Sequence, residues 1–376
     1  MMSLSRVLCG GAALLMGSMS AQAGGFEQAN QSAAATGVAN AFVATANDAS
    51  ALVYNPSGMA WLPGMNITAG LDLEYRNSSV VLPGVAPNNG TEPNVGHVFA
   101  TWSPLDSHWS AGVGFAPLYY INNDWSLAFP TAPNASGVTK VTVDHATADV
   151  AYAINSDLAI GVGLDWYVTR ATLTQGVNSF RGNDFGGSGG HLSVMWKPAY
   201  AWSIGAMLRS GARIDFSGKA SDSMSFKLPD QVSFGIAHDF SDVWRLETDV
   251  KWTRWSALKD MHVKTAGVIT QSNTLNLRDT FTVMAGLTWT WNHNSQFRVG
   301  YAYDQGANKL NGFNPIVADQ DGHKVSIGAG GDVYNMHVDL AYQYGFFNKL
   351  TATGAHAGTY RDRRQSLLLS ITKTFE

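Results

Sequence analysis

The stretch Thr280-Phe281-Thr282-Val283-Met284-Ala285-Gly286-Leu287-Thr288-Trp289-Thr290-Trp291 decides the fold. Its odd positions are Phe, Val, Ala, Leu, Trp and Trp, and its even positions are Thr, Met and Gly. Side chains of a β-strand alternate between two faces, so one face here is apolar and the other small or polar. The pattern recurs at Trp244, Leu246, Thr248, Val250 and Trp252 against Arg245, Glu247, Asp249 and Lys251. It recurs again along 336–346 and along 158–168. A soluble β-sandwich would alternate too. Two features favour a membrane barrel instead. Aromatic residues sit at strand ends on the apolar parity, as interfacial girdles require, and the connections alternate in length. Short turns fall near 104–108, 155–157, 197–201, 241–242, 291–295 and 331–334. Long polar loops fall near 80–94, 120–139, 174–187, 218–227, 256–275, 305–321 and 349–359. The expected fold is all-β, a transmembrane antiparallel β-barrel of about fourteen strands; boundaries that slip by ~2–4 residues leave twelve or sixteen open.

Composition agrees. Charge is sparse at 14%, aromatics reach 11%, and the sequence has 39 glycines and 12 tryptophans. Arg6, the apolar run Val7 to Met19 and Ala21-Gln22-Ala23 read as a cleavable export signal, too short to span a bilayer permanently. The single cysteine, Cys9, lies early in that run, which argues against a lipid-anchored amino terminus and leaves the mature chain without disulfide or thiolate chemistry. Without Arg6 the basic side chains number 23 against 28 acidic ones, a formal charge of −5 that suits no nucleic-acid partner. Past the signal no apolar stretch approaches the roughly 18 residues of a membrane helix. Residues 24–64, rich in Ala, Asn and Ser, lack alternation. A lumen of this width is not filled by its wall side chains, so this segment is expected as a plug. The organisation is then signal 1–23, hatch 24–64 and barrel 65–376. The last strand, Ser366 to Phe375, ends one residue before the final Glu376.

The hatch region carries a resemblance. Gly24-Gly25-Phe26-Glu27-Gln28-Ala29-Asn30-Gln31-Ser32, Ala46-Asn47-Asp48-Ala49-Ser50 and Tyr54-Asn55-Pro56-Ser57-Gly58-Met59 resemble the opening of the FadL/TodX family of outer-membrane transporters for long-chain fatty acids and aromatic hydrocarbons. Phe115-Ala116-Pro117-Leu118 resembles the family's third-strand signature, with weaker echoes at 228–230, 252–256, 278–280 and 298–301. The resemblance implies a fourteen-stranded barrel, a lumenal hatch and a kinked third strand that opens the wall sideways. Gly112 and Gly114 offer no side chains to pack and Pro117 cannot donate to the ladder, so pairing should fail locally; equally, Pro117 could simply end its strand at a loop. Asn55 and Pro56 mark a tight turn in any protein, and their hatch role rests on the resemblance.

A fatty-acid carboxylate needs a buried cation or several donors. Arg76, Arg209, Arg245, Lys251, Arg298 and Lys324 have lumen parity, but so do Asp72, Glu74, Glu247, Asp249 and Asp339, and a salt-bridged interior that holds the hatch accounts for any one of them. Arg298 is the lumenal candidate. Arg170 matches a basic position near the end of the family's fifth strand, though its parity points outward, toward lipopolysaccharide phosphate; Gln175 sits near the place where the resemblance implies the basic carboxylate partner. The apolar candidates follow the proposed kink: Leu118, Tyr120, Trp125 and Phe129, with Tyr119, Ile121 and Leu127, expected in an extracellular loop whose Asn123/Asp124 rim forms a capture groove or clamps the barrel mouth. No cofactor or metal is called for. The 10 histidines are scattered without His-Glu-x-x-His, and Gly186-Gly187-Ser188-Gly189-Gly190 lacks the lysine of a phosphate loop. His191/Ser193 and His145/Thr147 could imitate a barrel-wall lipid hydrolase, but such pairs occur readily by chance, and nucleophile, base and orienter cannot be assembled from neighbouring strands on the sequence. The expected function is passive outer-membrane passage of hydrophobic compounds by a monomer: long-chain fatty acids first, monoaromatic hydrocarbons second, a polar porin or lipid hydrolase as rivals.

Overall fold

A computed structural model of the chain describes residues 25–81, 90–91, 95–124, 137–175, 178–292, 295–309 and 313–375. The signal segment 1–23 and the expected capture residues Trp125, Leu127 and Phe129 lie outside them. Fourteen antiparallel strands form a closed barrel. They are β1 (Gly64–Val81), β2 (Val95–Ser103), β3 (Trp109–Asp124), β4 (Gly137–Ala153), β5 (Leu158–Gln175), β6 (Asn178–Ala199) and β7 (Trp202–Arg209). The second half comprises β8 (Gln231–Ser241), β9 (Trp244–Thr253), β10 (Thr280–Asn292), β11 (Ser295–Asp304), β12 (Gly322–Val333), β13 (Met336–Phe347) and β14 (Gly358–Phe375). Each pairs with its chain neighbours, and β14 closes on β1 from Met65 opposite Phe375 to Val81 opposite Thr359. Closure satisfies backbone groups that hydrocarbon cannot.

The alternation divides the wall as its sequence demands. On β10, Phe281 and Val283 face outward while Thr280, Thr282 and Met284 are buried inside. Trp102, Trp109, Trp202 and Trp291 stand exposed at the short-turn end; Phe115, Trp166, Phe281 and Tyr301 do so toward the other. Phe281 and Trp291 are separated by roughly 33 Å of strand at ~3.3 Å per residue. A tilt of ~40° turns this into roughly 25 Å of height, the apolar band of such barrels.

Several expected loops are β-structure. The 174–187 segment is mostly strand, because β5 runs to Gln175 and β6 starts at Asn178. Arg213–Gly218 pairs with Ser223–Lys227, and Asp260–Thr265 with Val268–Thr274, so the wall continues above the membrane. There the parity inverts. Ile214, Phe216, Met224, Phe226, Met261 and Val263 are buried inward, while Arg213 and Asp215 face out. Outside the bilayer water is the exterior solvent, so the apolar face turns to the lumen. Together with Val141, Val143, Tyr167, Leu173 and Trp255 these residues form one apolar cluster across the outer lumen.

The expected loop at 120–139 also begins later than the sequence pattern indicates. Leu118 and Tyr120 belong to β3, which runs to Asp124. A register shift between Pro117 and Tyr119 leaves Leu118 as the extra residue of a β-bulge. Ala116 through Ile121 are all buried, so alternation stops where the strand is covered on both faces.

Inside the barrel, residues 25–63 contain the short helices α1 (Ala33–Gly37) and α2 (Ala51–Tyr54) and a tight 3-10 turn over Pro56–Trp61. Asn55 starts that turn by accepting the Ser57 N–H at 3.2 Å, with Pro56 in the first position, where its missing N–H costs nothing.

Candidate functional site

The hatch is held chiefly by side chains of the wall gripping its backbone. On β9, Asp249 Oδ2 accepts the N–H groups of Phe42 at 2.7 Å and Val43 at 2.9 Å, and Glu247 Oε1 accepts those of Ala44 at 2.6 Å and Thr45 at 3.3 Å. Ser203 Oγ donates to Ala44 O at 2.7 Å, and Asn55 Nδ2 donates to Val43 O at 2.7 Å and to Val194 O on β6 at 3.1 Å. Ser370 Oγ takes the Ala33 N–H at 3.0 Å. Four consecutive N–H groups are thus taken by two side-chain carboxyl groups, hydrogen bonds worth about 1 kcal/mol each, and losing any one strands a buried donor. Close approach of the two backbones requires bare wall positions: a Cβ at Gly205 would lie 2.1 Å from Val43 O, and one at Gly300 2.3 Å from Ala39 N.

Within the hatch, Tyr54 Oη donates into a buried polar knot, 3.0 Å from Ala29 O and 2.9 Å from Asn40 Oδ1, and burial pushes its phenol pKa up. Burial also raises the Asp48 carboxyl, which accepts the Ser50 N–H at 2.7 Å and the Ser32 hydroxyl at 3.3 Å.

The amino-terminal end of the hatch meets the bulge. β2 pairs with β3 only from Val98 opposite Phe115 to Trp102 opposite Ala111. Past Phe115 that edge of β3 turns to the hatch: Gln28 N donates to Leu118 O at 2.8 Å, Tyr120 N to Phe26 O at 2.8 Å, and Gln31 Nε2 to Pro117 O at 3.0 Å. Phe26 enters the outer apolar cluster, 5.5 Å from the Tyr119 ring and 4.9 Å from Trp255. Gly25 has φ +69°, and a Cβ there would overlap the Trp255 ring, which accounts physically for glycine before Phe26.

The sequence-selected residues thus separate. Leu118 and Tyr120 lie buried beside the bulge rather than in an exposed loop, and Gly114, Phe115 and Pro117 lead into it. Asn55 and Pro56 are buried under the hatch turn. Arg298 bonds Asp339 at 2.5 Å and Gln296 at 2.7 Å and packs against Gly37, on the hatch side, away from the outer cluster. It lines a periplasmic vestibule of about 590 Å³. Arg170 points outward, 66% exposed, with Asp144 at 3.7 Å, and does not join the apolar residues. The described side chain of Asn123 donates to Ile316 O at 2.9 Å, tying the β3 tip to the loop before β12.

The hydrolase pairs are not assembled. Ser193 Oγ lies 2.8 Å from Ser57 Oγ and accepts the Ser57 N–H at 3.1 Å, so it clamps the hatch. His191 binds Asp149 and Asp165, and His145 binds Asp165 at 2.6 Å, with Arg209 Nε 3.4 Å from the same carboxylate. The sequence pattern placed lumenal acids around the hatch but missed that Asp249 and Glu247 hold peptide N–H groups; only their spacing of two on the same strand face hinted at a shared partner.

Comparison with known proteins agrees with this architecture. A family model described as "Outer membrane protein transport protein (OMPP1/FadL/TodX)" matches residues 14–208 and 189–367. Outer membrane protein P1 of Haemophilus influenzae is 26% identical over 65% of this chain and 60% of its own length. The long-chain fatty acid transport protein of Salmonella typhi is 21% identical over 76% of this chain and 78% of its own length. Among solved structures, a Pseudomonas aeruginosa FadL homologue superposes with a TM-score of 0.83 at 17% identity, covering 94% of this chain and 100% of that one. The Pseudomonas putida toluene transporter TodX gives 0.68 at 17% identity over 87% of this chain and 93% of that one. The chain belongs to the OMPP1/FadL/TodX family, outer-membrane proteins that transport hydrophobic compounds.

Proposed function

We propose that the chain passes long-chain fatty acids across the outer membrane without an energy source, taking them into the outer apolar lumen and releasing them sideways through the wall between β2 and β3. The observation that carries this reading is the β3 edge. It leaves β2 after Phe115, bulges at Leu118 and pairs with the hatch instead, directly under the apolar cluster. An apolar cargo gains from that lining and has no reason to enter the polar periplasmic vestibule. The Salmonella relative named as a fatty acid transporter supports the choice of cargo.

The test is uptake of oleate by cells that lack their own fatty-acid transporter, with binding to the purified barrel followed by tryptophan fluorescence. Saturable binding together with uptake sustains the reading. Ion conductance that persists unchanged after removal of residues 25–63, without oleate binding, would establish a polar porin. A second reading, monoaromatic hydrocarbons, is favoured by the edge-on arrangement of Phe26, Tyr119 and Trp255, which suits a flat ring. Toluene binding without oleate binding selects it.

A further inference from the structure

The outer surface of the wall carries a polarised patch that lies off the cargo path. On β5 the outward face rises from Leu164 and Trp166, 72% and 55% exposed, to Arg170. Phe185 of β6, exposed beside the same girdle, accepts the Trp166 indole N–H on its carbonyl at 2.8 Å. Four residues at ~3.3 Å each and a tilt of ~40° put Arg170 roughly 10 Å above Trp166, in the layer of lipid head groups. Thr172, next on that face, is flanked in register by Lys140 of β4 and Arg181 of β6, both exposed. A strand spacing of ~4.8 Å places the Lys140 and Arg181 Cα atoms about 10 Å apart, with Arg170 about 8 Å from each. Their side chains are long enough to converge on one anion. Asn183, opposite Arg170 across the β5–β6 ladder, adds an exposed amide.

Positive charge is left over here. Arg170 has Asp144 at 3.7 Å, a loose pair in solvent that costs little to part. Lys140 Nζ lies 6.0 Å from the Tyr120 ring centre, and Arg181 makes no ion pair among the described residues. Arg213 and Arg254, exposed arginines elsewhere at the outer end, are instead matched by Asp215 at 2.9 Å and Asp230 at 3.3 Å. We propose that Lys140, Arg170 and Arg181 bind a phosphate of lipopolysaccharide in the outer leaflet, with its acyl chains lying over Leu164, Trp166 and Phe185. Guanidinium groups present paired donors to phosphate oxygens. An anionic head group with hydrocarbon directly beneath it meets both halves of the patch, whereas a soluble polyanion would meet the cations alone. The site faces lipid and is independent of the transport reading.

The test is native mass spectrometry of the full-length purified barrel, titrated with lipid A bearing both phosphates and with dephosphorylated lipid A, which keeps the same chains. Wild type should bind the phosphorylated lipid more tightly. Lys140→Gln, Arg170→Gln and Arg181→Gln should each weaken it about fivefold, and the triple variant about a hundredfold, with the dephosphorylated lipid unchanged. These side chains are exposed, so the variants should keep the heat-modifiable migration of the folded barrel. Arg213→Gln, which removes a cation that already has its own carboxylate, should leave both lipids unaffected. Wild-type affinity in the triple variant would place the phosphate elsewhere and overturn the site. Equal weakening of both lipids would reduce it to an apolar contact. A loss with Arg213→Gln as large as with Arg181→Gln would replace it by diffuse surface charge.

Discussion

Asp249 is the residue on which hatch retention turns. Its Oδ2 atom accepts two successive peptide N–H groups, Phe42 and Val43, and Glu247 continues the series one turn of pleat away. Asp249→Ala removes two hydrogen bonds and leaves two buried donors, a cost of about 2–4 kcal/mol localised at the hatch. Amide exchange at Phe42–Thr45 should then rise by one to three orders of magnitude at roughly 1.4 kcal/mol per factor of ten, with the barrel strands unchanged. Uniform acceleration through the strands would show that Asp249 supports the whole fold instead. Gly205→Ala tests the steric half of the same grip. A methyl group 2.1 Å from Val43 O must push the hatch away, whereas Gly96→Ala, with its nearest neighbour at 3.6 Å, should leave the same amides protected. How far residue pattern alone could go is visible here. Parity put Asp249 and Glu247 in the lumen, and that suffices to place them near the hatch. It could not distinguish a carboxylate paired with a cation from one bound to peptide N–H, because the partner lies about two hundred positions away in sequence and has no side-chain signature.

At the scale of elements, β3 shows where pattern reading works and where it stops. Trp109 to Phe115 alternates and reads as strand. The next six residues, Ala116 to Ile121, include no charge and no period, and an unbroken apolar run is equally a covered strand or an apolar loop. The structure resolves them as strand buried on both faces, entered through a bulge. The upper hairpins failed for the opposite reason: their alternation is regular, but its sense reverses above the bilayer, so polar outward faces resembled loop sequence. Removing the extra residue tests the bulge. Deletion of Leu118 joins Pro117 directly to Tyr119 and restores simple register with β4, removing the local bend while Tyr119 stays opposite Val143. Oleate uptake should fall at least tenfold while the barrel keeps its heat-modifiable migration on gels. Uptake that survives in the deleted, folded barrel would remove the β2–β3 edge as the exit.

For the whole molecule, barrel and hatch are separable layers of stability, and pH should act on the hatch through Asp48. The wall is a closed ladder with bonded cross-strand pairs such as Arg298–Asp339 and Lys324–Asp304, both at 2.5 Å. The hatch, by contrast, has helices of only five and four residues and owes its order to the wall that grips it. Burial raises the Asp48 carboxyl above its ordinary 3.8, so the ordered hatch favours the protonated form. Such a group contributes its full stabilisation below pH 3.8, and the contribution is lost as pH climbs through the raised value. The hatch should therefore open more often as pH rises from the acid side toward neutrality. Asp48→Asn keeps an acceptor for the Ser50 N–H yet cannot ionise, so it should abolish this part of the dependence and leave the hatch better protected at neutral pH. Hydrogen exchange at hatch amides, corrected for the intrinsic rate at each pH, reads the difference directly. Converging protection of wild type and Asp48→Asn in acid, and divergence toward neutrality, is the expected result; parallel curves would mean that Asp48 stays ionised inside the barrel and that Ser32 and Ser50 fully compensate its burial.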